Sequence, residues 1–149
     1  MREKPHIMIV EARFYDELAD EMALGAIEHL ESVGATYERV DVPGAFEIPG
    51  VIRFALDGPW NGGEPPFDGY IALGTVIRGE TSHYDYVCGE SARGLQDLAL
   101  QHKAAIGYGI LTVENADQAW ARARRTEGNK GKAAAIACLR MVELKGRFA

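Results

Sequence analysis

The sequence predicts an α/β fold: a three-layer sandwich in which a doubly wound, four-stranded parallel sheet carries helices on both faces. Three observations predict it. Short apolar or β-branched runs alternate with stretches of helical periodicity, so each strand is joined to the next by a helical crossover, which makes the strands parallel. Such crossovers are right-handed, and they cover both faces of the sheet. The length of 149 residues fits one domain over 1–149, with a core that needs neither disulfide nor structural metal.

The elements follow in order. Residues 6–11 (HIMIVE) form a short apolar run, as a buried parallel strand does. Leu18, Met22, Ala26, Leu30 and Val33 then recur at helical spacing, with Asp16, Glu17 and Asp20 early, where acids suit the macrodipole, and Gly34 as the stop. Residues 36–42 (TYERVDV) alternate as a second strand that Pro43-Gly44 ends. Residues 47–56 read as a helix with Pro49 in its first turn. Residues 57–68 (DGPWNGGEPPFD) are rich in breakers and form a surface loop, because strands resume at once. Residues 69–73 (GYIAL) are the third strand, 74–81 a loop, and a helix runs on to about Gln101. Residues 104–111 are the fourth strand, and helices cover 115–125 and about 130–147.

Composition narrows the function. The chain is 47% hydrophobic and 26% charged, with a net charge of -6 and a pI of about 5.2. Nucleic acid and anionic membrane both favour a basic partner, so neither is expected. An anionic small substrate stays open, since a few local cations suffice for it. Cys88 and Cys138 are too few and too far apart for a disulfide framework or a zinc site, and both sit in apolar segments as buried thiols do. No apolar run reaches membrane-spanning length, and residues 1–5 are charged with no secretory apolar region behind them, so a cytoplasmic location is expected.

In this architecture ligands collect beyond the carboxyl ends of the strands. The loops to inspect are therefore 12–14, 43–47, 74–82 and 112–115. Phe14 follows the first strand; alone it reads first as a staple or core aromatic, and at this edge also as a stacking platform for a flat heterocycle. Gly44 lets a ligand approach the backbone, and Glu47 stands near a helix start as a capping charge or an acceptor for ligand hydroxyls. The stretch Gly74-Thr75-Val76-Ile77-Arg78-Gly79-Glu80-Thr81-Ser82-His83-Tyr84-Asp85 combines glycines, hydroxyls and a helix start, a plausible anion cradle. It is neither a Walker loop nor a dinucleotide fingerprint. His83 reads either as a structural hydrogen-bonder or as a proton-transfer group. His6, His29 and His102 lie in other elements, without metal-ligand spacing, so no metal is expected. Arg122, Arg125, Lys130 and Lys132 cluster late in the chain, as solvated surface or as counter-charge for a phosphate.

Read together, these stretches resemble the motifs of the lumazine synthase family. Ala12-Arg13-Phe14 is similar to its first motif, Pro43-Gly44-Ala45-Phe46-Glu47-Ile48-Pro49 to its second and the 74–85 stretch to its third. Thr112-Val113-Glu114-Asn115 and Gly128-Asn129-Lys130-Gly131 are similar to later ones. They occur in the family's order and cover nearly the whole chain. The resemblance implies a flavodoxin-like fold and a transferase of riboflavin biosynthesis that makes 6,7-dimethyl-8-ribityllumazine. Its substrates are 5-amino-6-(D-ribitylamino)uracil and 3,4-dihydroxy-2-butanone 4-phosphate, and it uses no cofactor or metal. It further implies that Phe14 stacks on the pyrimidine, and that Ala45, Phe46 and Glu47 hold the ribityl chain and ring edge. Thr75, Val76 and Ile77 add pyrimidine contacts, largely through backbone. Glu80 and Thr81 lie around the phosphate, Arg122 is its principal cation, and Lys130 stands nearby. His83 is the proton shuttle, and Tyr108 lines the site of a neighbouring subunit.

The chemistry agrees with these residue types. Imine formation and elimination need proton transfers near neutral pH, which suit histidine, and a guanidinium stabilises departing phosphate. The resemblance also implies a homo-oligomer, a pentamer at least, with sites between subunits. The segment before the first strand is shorter than in long members and the 59–66 loop is longer than in compact ones, which leaves assembly into a larger shell open. Two other readings remain at this level: a flavodoxin-like module that binds flavin or lumazine without turnover, and a structural shell.

Overall fold

A computed structural model describes residues 2–149. The alternating pattern resolves into β1 (His6–Ala12), α1 (Asp16–Ser32), β2 (Thr36–Val42), α2 (Ile48–Asp57), β3 (Gly69–Ile77), α3 (His83–His102), β4 (Ile106–Val113), α4 (Ala116–Ala123) and α5 (Lys130–Arg147). All pairings are parallel and the strand order is β2-β1-β3-β4. The chain therefore winds outward from β1 in both directions, and the switch point lies between β1 and β3. This is the doubly wound, four-stranded α/β fold that the alternation predicts.

Each strand's two-residue period feeds two cores. Ile7 and Ile9 of β1, Ile71 and Leu73 of β3 and Leu111 and Val113 of β4 pack against α1, α4 and α5. Met8 and Val10 of β1, Tyr70 and Ala72 of β3 and Ile110 of β4 pack against α2 and α3. The central strands β1 and β3 are buried on both faces, which is why they read as unbroken apolar runs. The third layer depends on small residues: α5 approaches β4 over Gly107 and Gly109, and approaches α1 over Gly131.

Glu11 is the exception in β1. It is 2% exposed, and its carboxylate accepts from Arg39 Nε at 2.6 Å, Arg39 Nη2 at 3.0 Å and Arg13 Nη1 at 2.8 Å. Arg13 also donates to Asp16 and Asp20. A buried carboxylate is tolerable when its lone pairs are filled in this way. The network pins the β1–α1 loop from which Phe14 projects.

Several boundaries depart from the sequence pattern. β3 continues through Gly74 to Ile77, where a loop is predicted from residue 74 on, because Gly74–Ile77 pair in register with Ile110–Val113. β4 correspondingly begins at Ile106 and ends at Val113. A single 3-10 turn, Ala45–Glu47, precedes α2. Gly34 ends α1 at φ 78°, the left-handed conformation that glycine adopts without strain. Among the described residues no helix is long and apolar enough to cross a membrane.

Burial in the two cores has a consequence at alkaline pH. It pushes the Cys138 thiol up to about 12 and the Tyr70 phenol up to about 12. The unfolded chain releases these protons at their lower ordinary values of 9.0 and 10.0. Within that window the folded state therefore holds more protons, and stability falls as pH rises. The urea midpoint is expected to drop between about pH 8 and about pH 11, and to drop less steeply in Cys138→Ala. Parallel slopes for the two proteins would refute this account.

Candidate active site

The loops after β1 and β2 and the end of β3 meet at the switch point and enclose a cavity of about 600 Å³. That volume is ordinary for a small-molecule site. Phe14 and Tyr15 form one wall; they pack edge to face at 4.9 Å between ring centroids. Phe14 is nevertheless 74% exposed, so its open face is available for stacking. The staple reading of Phe14 fails on this exposure.

A second wall is the turn Pro43-Gly44-Ala45-Phe46-Glu47. Ala45 is buried and anchors the turn in the α2/α3 core. Phe46, 57% exposed, and the exposed Glu47 are left to face outward. Gly44 is extended at φ -151°, so no backbone strain attaches to it, and a Cβ there would make only an ordinary contact, 3.4 Å from Glu47 Oε1. Thr75, Val76 and Ile77, at the carboxyl end of β3, form the floor.

The fourth side is the start of α3. Arg78 fixes it from three directions. Its backbone N–H donates to Val113 O at 2.9 Å, its Nε donates to Glu114 Oε2 at 2.8 Å, and its guanidinium stacks on the Tyr84 ring at 4.3 Å. The loop thus held presents Gly79, Thr81 and His83 to the cavity. The His83 backbone N–H donates to Thr81 Oγ1 at 3.3 Å, and the imidazole is solvent-exposed at the first turn of the helix. Tyr86 and Val87 follow on the same face, three and four residues on.

The sequence model of the 6,7-dimethyl-8-ribityllumazine synthase family matches residues 4–146. The chain belongs to this family. Rhizobium meliloti has a relative named 6,7-dimethyl-8-ribityllumazine synthase 1 that is 62% identical over 143 residues, 96% of this chain and 93% of its own. The 6,7-dimethyl-8-ribityllumazine synthase of Agrobacterium fabrum is 58% identical over 145 residues, 97% of each chain. That of Bartonella tribocorum is 50% identical over 148 residues, 99% of this chain and 95% of its own.

Within the lumazine synthase fold, then, nine of the sequence-predicted residues share one cavity: Phe14, Ala45, Phe46, Glu47, Thr75, Val76, Ile77, Thr81 and His83. Four do not line it. Glu80 belongs to the same loop, is exposed and does not line the cavity. Lys130 opens α5 and is exposed. Arg122 lies in the last turn of α4, exposed, with Nη1 donating to Gln118 O at 3.0 Å. Tyr108 sits in the middle of β4 opposite Ala72, 47% exposed on the α3 side, and burial raises its phenol pKa with Cys88 and Tyr84 adding to the shift. Arg125 is committed to Glu21 and Glu28 and braces α1, so it is no free cation. The sequence reading passed over Tyr15, Tyr86 and Val87 as lining residues; helical spacing from His83 identifies the last two.

Proposed function

We propose that this chain condenses 5-amino-6-(D-ribitylamino)uracil with 3,4-dihydroxy-2-butanone 4-phosphate, releasing phosphate and water to give 6,7-dimethyl-8-ribityllumazine, without metal or cofactor, on a single domain spanning 1–149. The observation that carries the proposal is the cavity at the switch point, where Phe14 and Phe46 expose aromatic faces beside the polar start of α3. Family membership supplies the reaction.

Phe14 stacks on the pyrimidine, while the 45–47 turn, with the Glu47 carboxylate as acceptor, holds the ribityl hydroxyls and ring edge. The backbone of Thr75, Val76 and Ile77 fixes the other edge. The amine nitrogen attacks the ketone carbon, and His83 relays the proton that leaves nitrogen towards the oxygen that departs as water. Loss of phosphate is assisted by Thr81 and Glu80 at the loop and by Arg122 and Lys130. Holding the two reactants together supplies much of the acceleration.

Tyr108, Arg122 and Lys130 stand outside the cavity of their own chain, which supports a homo-oligomer, a pentamer at least, in which a neighbour completes each site. Exposed Phe54, Leu100 and Tyr108 on the α2/α3 side give such a contact apolar area.

The test is a coupled optical assay of the purified protein with both substrates, following lumazine absorbance and phosphate together. Equal, enzyme-dependent amounts of both are expected. A folded protein that binds ligand but forms neither product would instead mark a binding module. His83→Ala is expected to slow turnover about tenfold, less than general acid–base groups commonly contribute, because solvent reaches this imidazole and water replaces it. A folded, substrate-binding His83→Ala protein with no turnover at all would contradict that role.

A further inference from the structure

Among the described residues Glu11 is the only charged side chain that is buried, and it does not line the cavity at the switch point. It stands on the face of β1 that carries Ile7 and Ile9, where the two-residue period calls for a third apolar residue. Stability alone does not explain it. Taking a carboxylate and its partners out of water costs about as much as their pairing returns, and an apolar residue of similar size at such a place is often neutral or stabilising. What a carboxylate held by guanidinium forks supplies is fixed geometry.

That geometry is relayed in two steps. Arg39, on the neighbouring strand β2, grips both oxygens, Nε to Oε2 at 2.6 Å and Nη2 to Oε1 at 3.0 Å, and so holds the carboxylate in one orientation. Oε1 is thereby aimed at Arg13 Nη1, at 2.8 Å. The other two nitrogens of that guanidinium are taken up by α1: Nε donates to Asp16 Oδ1 at 3.0 Å and Nη2 to Asp20. The Arg13 backbone N–H donates to Val42 O at 3.0 Å, directly before the Pro43–Glu47 wall of the cavity. One residue thus ties the ends of β1 and β2 to the start of α1. Phe14 is next in the chain and has little packing of its own. Its ring is 74% exposed and meets Tyr15 edge to face, so its position follows the backbone that Arg13 anchors.

We propose that Glu11 is a positioning residue for the pyrimidine substrate: acting through Arg13, it fixes the Phe14 ring relative to the 43–47 turn and so sets the affinity for the aminouracil without touching it. This rests on the stacking role given to Phe14 above. Removing the carboxylate strands no buried charge, because Arg13 keeps Asp16 and Asp20 and the Arg39 side chain is 45% exposed. Glu11→Leu continues the apolar pattern of β1 and is expected to unfold at the parent's urea midpoint or above it.

The test is a double-mutant cycle of Glu11→Leu and Phe14→Ala on the assembled protein. It is read by calorimetric titration with the aminouracil and by steady-state kinetics. Phe14→Ala is expected to weaken aminouracil binding about tenfold or more, the loss of one ring stacked on a base. Glu11→Leu is expected to weaken it about three- to tenfold, with kcat at saturation and the Michaelis constant for butanone phosphate nearly unchanged. Glu11→Gln, which keeps one acceptor oxygen, is expected to fall between parent and leucine variant. In the Phe14→Ala background Glu11→Leu is expected to cost nothing further, because the ring through which it acts is gone. If Glu11→Leu fails to fold, Arg13→Lys takes its place in the cycle, since an ammonium cannot hold Glu11, Asp16 and Asp20 together. Unchanged aminouracil affinity in Phe14→Ala would overturn the stacking role and this inference with it. A loss in Phe14→Ala with none in Glu11→Leu, or losses that add in the double variant, would overturn the inference alone.

Discussion

Gly107→Ala is expected to lower stability by about 3 kcal/mol or more, and Gly107→Val to leave little folded protein. A Cβ at Gly107 would fall on the carbonyl oxygen of Ala134, within 2.9 Å of its carbonyl carbon and 3.0 Å of Cys138 Cβ. The obstacle is the backbone of α5, which cannot rotate aside as a side chain can. Relief requires α5 to lift off β4, and that movement would open the packing of Ala134, Ala135 and Cys138 against Leu111 and Ile71. Loss of close packing over such an area forfeits dispersion contacts as well as burial. The matched control is Gly50→Ala in α2, where a Cβ meets nothing within 4 Å. There, alanine's better helix propensity is expected to hold or raise the urea midpoint by an amount worth up to about 1 kcal/mol. Equal midpoints for the Gly107 and Gly50 variants would remove the argument that α5 is seated by backbone-to-backbone approach.

That glycine also marks where the sequence could and could not be read. β1, β2 and α5 are legible because their patterns are one-sided in kind: unbroken apolar for a strand buried on both faces, alternating for an edge strand, helical spacing for α5. The end of β3 was not legible. Gly74 looks like a breaker, but β4 offers it a ladder partner at Ile110, and pairing outweighs the local preference. Gly107 and Gly109 weaken β4 on the same local criteria; their purpose, close approach of α5, depends on a helix that follows more than twenty residues later.

The candidate site divides along the same line. Residues that follow a strand within the same chain (Phe14, the 45–47 turn, Thr75 to Ile77, Thr81 and His83) converge because the strand order brings their loops to one switch point; the alternation predicts parallel strands and the edge at which their loops lie, while the order itself is read from the structure. Glu80, Tyr108, Arg122 and Lys130 do not converge with them. For the last three, periodicity describes how one chain folds and says nothing of how copies meet.

Arg122→Ala is expected to raise the Michaelis constant for butanone phosphate about 10- to 150-fold while leaving that for the aminouracil nearly unchanged. The structural reason is the commitment of the other arginines. Arg2, Arg13, Arg39, Arg53, Arg78, Arg93, Arg124, Arg125 and Arg140 each pair with a carboxylate, and Arg147 stacks on Phe148. Among the described residues only Arg122 meets neither acid nor ring; one Nη1 donates to the Gln118 carbonyl and the rest of the fork is free. In a chain of net charge -6, leaving one guanidinium unpaired is meaningful, because carboxylates to pair with it are plentiful. A free planar fork matches a phosphate with two parallel hydrogen bonds, and a charge-assisted contact of that kind is worth about 1.5–3 kcal/mol. That magnitude sets the expected fold-change. Arg122→Lys keeps the charge and loses the fork, so it is expected to fall between the two, and inorganic phosphate is expected to inhibit the alanine variant less than the parent. If steady-state assays gave Arg122→Ala an unchanged constant for butanone phosphate, the guanidinium would be surface charge, and the phosphate would have to be held by Lys130 and the start of α3 alone.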